Sequence, residues 1–109
     1  MNKLTIEEFE DIVDNTLDEI QDTLIVKAKE YIRNEDPLHN FRMGSNMTGG
    51  SKEKVMWGFM VKHLVSLQDL INEESKDLEL IEEKIGDLLC YLVLMQASFE
   101  ETILDYETE

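Results

Sequence analysis

The sequence predicts an all-α fold: a helical bundle of three long helices and one short helix, completed by oligomerisation. Three observations carry that prediction. Apolar residues recur at three- and four-residue steps along most of the chain. One Pro and five Gly among 109 residues leave few places for a helix to break. The last helical segment is apolar nearly all round, and two other long helices in one chain can hardly cover it.

The first helix is expected from about Ile6 to Ile32. Thr5 and Glu8 have the spacing of a capping box, and Glu7, Glu8, Glu10 and Asp11 suit the positive end of the helix dipole. Ile6, Phe9, Val13, Leu17, Ile20, Leu24, Ala28 and Tyr31 form one apolar stripe, and Lys27, Lys29 and Arg33 stand near the opposite end. Asp36-Pro37 reads as the N-cap and first position of a short helix over Pro37 to Met47, anchored by Leu38 and Phe41. Thr48-Gly49-Gly50-Ser51 is a turn whose serine caps a third helix, Lys52 to Asn72. The third helix carries a stripe of Met56, Met60, Leu64, Leu67 and Ile71, flanked by Val55, Phe59 and Leu70. A polar connection over 72–77 leads to a fourth helix, Leu78 to Leu104. Its residues Leu78, Ile81, Ile85, Leu88, Leu92, Met95 and Phe99 read as a heptad-like seam. That seam is the expected surface of a homo-oligomer, formed through helix 78–104.

The length predicts a single domain over 1–109. The only cysteine, Cys90, can form no intrachain disulfide, which fits a reducing compartment. The N-terminus lacks the basic-then-apolar layout of a signal peptide, and the longest apolar run, 88–95, is too short to span a bilayer. A cytoplasmic protein is expected. The net charge of −15 opposes binding to nucleic acid or to an anionic membrane. The charge is uneven. Residues 33–63 hold five bases against three acids, whereas the rest holds five bases against 22 acids. The middle of the chain is where an anion would be welcome.

The candidate chemistry lies on three helices. Asp87 interrupts the apolar block of the last helix, with Glu83 one turn before it and Tyr91 one turn after, all on one face. A carboxylate there calls for a cation, a metal or hydrogen-bond donors, and an internal ion pair with Lys84 or with a base on helix 3 would serve equally. On helix 3, Lys62, Ser66 and Asp69 make a polar strip, and His63 lies beside Met60 and Leu67. A histidine so placed is more often a hydrogen-bonded core residue than a ligand. Side by side, the two helices would bring a cation, an imidazole, carboxylates and a phenol together. On the short helix, Arg42 could fork onto a phosphate and Asn40 could read a base edge or ribose. Phe41 fits the core better than a stacking role. Gly49-Gly50-Ser51-Lys52 does not have P-loop spacing, and no zinc-ligand spacing, nucleophile elbow or Cys/His pair stands out.

The segment from Lys29 to Ala97 resembles a group of small uncharacterised bacteriophage proteins. The resemblance rests on Glu30-Tyr31, Asp36-Pro37-Leu38-His39-Asn40-Phe41, Trp57-Gly58-Phe59-Met60-Val61-Lys62-His63, Ser66, Asp69, and Glu83-Lys84-Ile85-Gly86-Asp87 with Tyr91. More remotely, Glu82-Glu83-Lys84-Ile85-Gly86-Asp87-Leu88-Leu89 resembles the second metal motif of the MazG-type all-α nucleoside triphosphate pyrophosphohydrolases. Those proteins are helical oligomers that hold magnesium on carboxylates of two adjacent helices. Two departures stand out: Lys84 occupies the position of an acid three residues before Asp87, and helix 3 carries Lys62 and His63 in place of a Glu-Glu-x-x-Glu pattern. The resemblance implies a nucleotide-sized pocket, and the departures remove acids that magnesium would need.

The resulting expectation is a binding protein without catalysis and without a cofactor. It would sequester a nucleotide or a nucleotide-derived signal of host defence. Lys62 and Arg42 would meet phosphates, His63 and Asn40 would read base or ribose, Ser66 and Asp69 would line the site, and Asp87, Glu83 and Tyr91 would hold hydroxyls or a ring nitrogen. One alternative is a Mg2+-dependent nucleoside triphosphate pyrophosphohydrolase using Glu83 and Asp87 as metal ligands, with Asp69. Another is an acidic interaction protein that imitates nucleic acid and blocks a host factor.

Overall fold

The fold is all-α in the computed structural model, which describes residues 2–30 and 35–108. The chain divides into two compact units, 1–31 and 32–109.

The first unit holds α1, Ile6–Gln21. Its start is the capping box: the Thr5 hydroxyl accepts from the Glu8 amide at 3.0 Å, and the Glu8 carboxylate accepts from the Thr5 amide at 3.1 Å. The α-helix does not continue to Ile32. It gives way to a π-helical turn over Asp22–Val26 and a 3-10 turn over Lys27–Glu30. The change of winding coincides with Thr23, Ile25 and Val26, whose branched Cβ atoms crowd the preceding helical turn. Tyr31, Ile32 and Arg33 lie outside the described residues. No residue of α1 is buried, and Ile6, Phe9, Val13 and Leu17 of its stripe are all exposed.

The second unit holds α2 (His39–Thr48), α3 (Lys52–Asn72) and α4 (Leu78–Thr108). The short helix starts two residues later than Pro37. Asp36 prepares it: its carboxylate accepts from the Leu38 amide at 3.0 Å, and its carbonyl accepts from the His39 amide at 3.2 Å. Gly49 ends α2 in the left-handed region, φ 77°, and its amide donates to the Ser45 carbonyl at 2.9 Å. Ser51 caps α3 through the Lys54 amide, 3.1 Å, and Asp77 caps α4 through the Leu80 amide, 3.1 Å. The last helix runs four residues beyond the expected Leu104, to Thr108.

The buried apolar residues are Leu38, Phe41, Met56, Met60 and Leu88, with Val55, Tyr91, Leu94 and Met95 packed around the first three. Helix α2 lies close on α3 at Gly44, where a Cβ atom would stand 2.9 Å from Val55 Cγ1. Two of the expected stripes are corrected. On α3 the covered apolar positions are Val55, Met56, Met60, Leu67 and Leu70, with His63 partly covered beside them, while Leu64 and Ile71 are exposed. On α4 the expected single seam is split between two sides. Leu88 and Met95 turn toward the core, whereas Ile85, Leu92 and Phe99 are 41, 49 and 49% exposed. Steps of three and four permit both faces on a helix that is apolar nearly all round.

Polar groups fasten the three helices. Arg42 donates to Asp36 from Nε at 2.8 Å and from Nη2 at 3.2 Å. It also donates to Glu101 from Nη1 at 2.7 Å and from Nη2 at 3.1 Å. Lys52 Nζ stands 3.3 Å from Glu101 and donates to the Thr102 hydroxyl at 3.2 Å. Ser98, fully buried, and Thr102 both donate to Glu53 Oε1, at 3.1 and 3.0 Å. Among the described residues, no helix is long and apolar enough to cross a membrane.

Candidate functional site

The expected site residues fall into three groups. His63, Asp87 and Tyr91 come together between α3 and α4. His63 Nδ1 is 3.6 Å from Asp87 Oδ2, and the imidazole lies 5.3 Å from the Tyr91 ring, tilted by 42°. Tyr91 is also stacked nearly parallel to Phe59, with centroids 6.3 Å apart and 8° between the planes. It meets Phe41 edge-on at 6.3 Å. Burial, helped by the Asp87 charge, pushes the Tyr91 phenol up, so at neutral pH it is a hydrogen-bond donor. The Cys90 thiol is pushed up for the same two reasons, which keeps it from acting as a ready thiolate.

Asp87 differs from the expectation of a carboxylate enclosed by apolar side chains. Its side chain is 43% exposed, so water carries part of its charge and the imidazole the rest of the contact. Lys62 does not share that contact. It stands on an exposed side of α3, next to a separate groove. The facing arrangement expected of Asp87 with both Lys62 and His63 is therefore met by His63 alone.

The second group is Arg42, whose guanidinium is engaged by Asp36 and Glu101 as described. These carboxylates hold it protonated well beyond its already high value. Its fork faces protein carboxylates, where the sequence reading had placed a phosphate.

The third group is dispersed. Asn40 is exposed on α2, and Glu83 is exposed one turn before Asp87. Asp69 is exposed on α3, and the Ser66 hydroxyl donates to the Lys62 carbonyl at 3.0 Å within its own helix. Among the described residues no three side chains of His, Cys, Asp or Glu converge as a metal-binding group, and Glu83 and Asp87 have no third acid with them.

An open groove of about 480 Å³ runs between the end of α2 and the flank of α3, lined by Thr48, Lys54, Val55, Gly58, Phe59 and Lys62. The volume is within the range of small-ligand sites. Lys54, Gly58 and Lys62 follow one another at single-turn intervals, so the two ammonium stems flank a strip of bare backbone. A Cβ atom at Gly58 would meet nothing within 4 Å. Phe59 supplies the aromatic wall, and it is the same ring that stacks on Tyr91. Among the described residues, no carboxylate lies within ion-pair distance of Lys54 or Lys62.

Of these residues the sequence reading named only Lys62 as a ligand contact. Thr48 reads there as part of the turn before α3, Gly58 as part of the phage-like motif and Phe59 as the flank of the core stripe, and Lys54 only as one of the bases of the middle stretch. The signal was present in the four-residue spacing of Lys54, Gly58 and Lys62, within the one stretch where bases outnumber acids.

No protein-family model, no curated protein and no solved structure matches this chain.

Proposed function

We propose that this chain is a non-catalytic binding protein that sequesters a nucleotide or nucleotide-derived signal, with the groove beside α3 as its anion-binding surface. The observation that carries this reading is the pair of ammonium groups, Lys54 and Lys62, either side of Gly58 and next to Phe59, with no carboxylate among the described residues within ion-pair distance of either. On a chain of net charge −15, ammonium groups without carboxylate partners are the place where a phosphate gains most from charge-assisted hydrogen bonds. The bare strip at Gly58 admits a flat ring close to the backbone, and the face of Phe59 offers it stacking. The lining brings ammonium groups, aliphatic carbon, one ring and one hydroxyl, and neither a carboxylate nor an imidazole. That composition supports holding over turnover. The reading places the protein in the cytoplasm, where such signals are made, and agrees with the resemblance to small phage proteins.

Isothermal titration against nucleoside mono-, di- and triphosphates and cyclic nucleotides tests it. Binding by the wild-type chain, weakened at least tenfold in Lys62→Ala and Lys54→Ala, is the expected result. No binding by any of these classes, or equal binding by both variants, would overturn the assignment.

A second reading is favoured by one observation: α1 buries nothing and carries an exposed apolar stripe between acidic side chains. Such a helix suits a protein partner with an apolar, basic-rimmed groove. A chain lacking residues 2–30 would lose that partner and keep the small ligand.

A further inference from the structure

Two contacts tie α3 to α4 beside the groove, and together they form a short antiparallel ladder. Phe59 and His63 stand one turn apart on α3, and Tyr91 and Asp87 stand one turn apart on α4. Phe59 stacks on Tyr91, with centroids 6.3 Å apart and 8° between the planes, and His63 Nδ1 lies 3.6 Å from Asp87 Oδ2. Tyr91 is the centre of this arrangement. It also meets the buried Phe41 of α2 edge-on at 6.3 Å, and its ring centroid is 5.3 Å from that of His63. Phe59 is the most exposed of the four rings, and it alone of them lines the groove.

A ring on a helix surface has several staggered positions open to it, and a ligand that has to immobilise it loses affinity. Phe59 does not have that freedom. Phe41 meets it at 5.9 Å and 80°, and Tyr91 lies nearly parallel to it, the two arrangements that aromatic pairs prefer. The parallel contact sets the plane in which the Phe59 ring stands at the groove. The lining offers little else to recognise a base. The Thr48 hydroxyl already donates to the Gly44 carbonyl at 2.8 Å and accepts from the Gly50 amide at 3.2 Å. The ring of Phe59 is therefore the lining group that can tell a base-bearing phosphate from a bare one.

Resting on the reading of the groove proposed above, we infer that Tyr91, which does not line the groove, determines its specificity. By holding the Phe59 ring in place from α4, it gives the site its preference for phosphates that carry a flat ring. Lys54 and Lys62 hold the phosphates with or without it. Tyr91 is thus a positioning residue that acts through Phe59.

Calorimetric titration of the full chain with ATP and with inorganic tripolyphosphate, which has the phosphates without base or sugar, separates the two contributions. The wild type should bind ATP at least about fivefold more tightly than tripolyphosphate. In Tyr91→Leu that preference should fall below about twofold, through weaker binding of ATP with tripolyphosphate unchanged. Tyr91→Phe, which keeps the ring, should keep the wild-type preference. A merely structural role would weaken both ligands together in Tyr91→Leu, and that result would overturn the inference. An undiminished preference for ATP in Tyr91→Leu would overturn it too, and would leave the reading of the groove standing. A wild-type chain that binds neither ligand would overturn that reading and this inference with it. Nuclear Overhauser contacts between the Phe59 and Tyr91 rings in the wild type need no variant, so they decide the matter even if Tyr91→Leu does not fold. They should be present in the free protein and persist with ATP bound, and their loss on binding would show a Phe59 ring that Tyr91 does not hold.

Discussion

Arg42 and Glu101, 59 residues apart in sequence, are joined by two hydrogen bonds of 2.7 and 3.1 Å. The same guanidinium holds Asp36 at the start of α2, and Lys52 at the start of α3 reaches the same Glu101. One carboxylate on α4 thus gathers the N-terminal ends of two other helices.

This clasp predicts an acid-labile fold. The hydrogen bonds from Arg42 hold the Asp36 and Glu101 carboxyls below their ordinary range. Burial pushes the Glu53 carboxyl up, but its own amide and the hydroxyls of Thr102 and Ser98 outweigh burial, and the net direction is down. For groups depressed in the folded state, the stabilisation is complete above their unfolded values, about pH 4, and is lost as pH falls through the folded ones. The melting temperature should be level from about pH 8 to 5 and fall steeply below about pH 4. Arg42→Met should flatten that fall. A partly exposed network of this kind is worth about 1–2 kcal/mol, so the variant should melt a few degrees lower at neutral pH.

The contact of α2 with α3 predicts intolerance at Gly44. A Cβ atom there meets Val55 Cγ1 at 2.9 Å, and a branched valine cannot swing away cheaply. Gly44→Val should destabilise by about 1–3 kcal/mol in urea unfolding, despite leaving a glycine out of the helix.

Met56 predicts the opposite kind of damage. It is fully buried among Leu38, Phe41 and their neighbours. Met56→Ala should cost about 2–5 kcal/mol in the same assay by leaving a cavity. Met47→Ala, at an 84% exposed position, should fall within about 0.5 kcal/mol of the wild type.

Gly58 separates function from stability. Its position is open, so Gly58→Met fills the groove floor without a clash and improves the helix by up to about 1 kcal/mol. The expected outcome is an unchanged or raised melting temperature together with loss of nucleotide binding in calorimetry.

Most of the helices were legible because their signals are local. Thr5 with Glu8, Ser51 with the Lys54 amide, and Gly49 in its left-handed turn involve neighbours within a few residues, and sequence spacing reports them. The end of α1 was not legible, because the loss of α winding at 22–30 interrupts a stripe that looks continuous on paper. The facing of α4 was not legible for another reason. A helix apolar nearly all round has no contrast between its sides, and the decisive marker is Ser98, whose partner Glu53 is 45 residues away. The positions of the expected site residues were legible only in part. His63, Asp87 and Tyr91 converge, but Arg42 is held by Asp36 and Glu101, and Lys62 faces the groove beside Lys54 and Gly58, which the sequence does not mark as ligand contacts. Pairing an ion with its partner needs distances between helices that no local pattern contains.

The most direct measurement is mass spectrometry of the small molecules set free when the purified protein is heated to unfold it. The account predicts a phosphate-bearing nucleotide species released in stoichiometric amount from the wild-type chain, and almost none from Gly58→Met prepared in the same way. Wild-type protein that releases no such molecule, and that takes up no added nucleotide in a subsequent equilibrium dialysis, would contradict it.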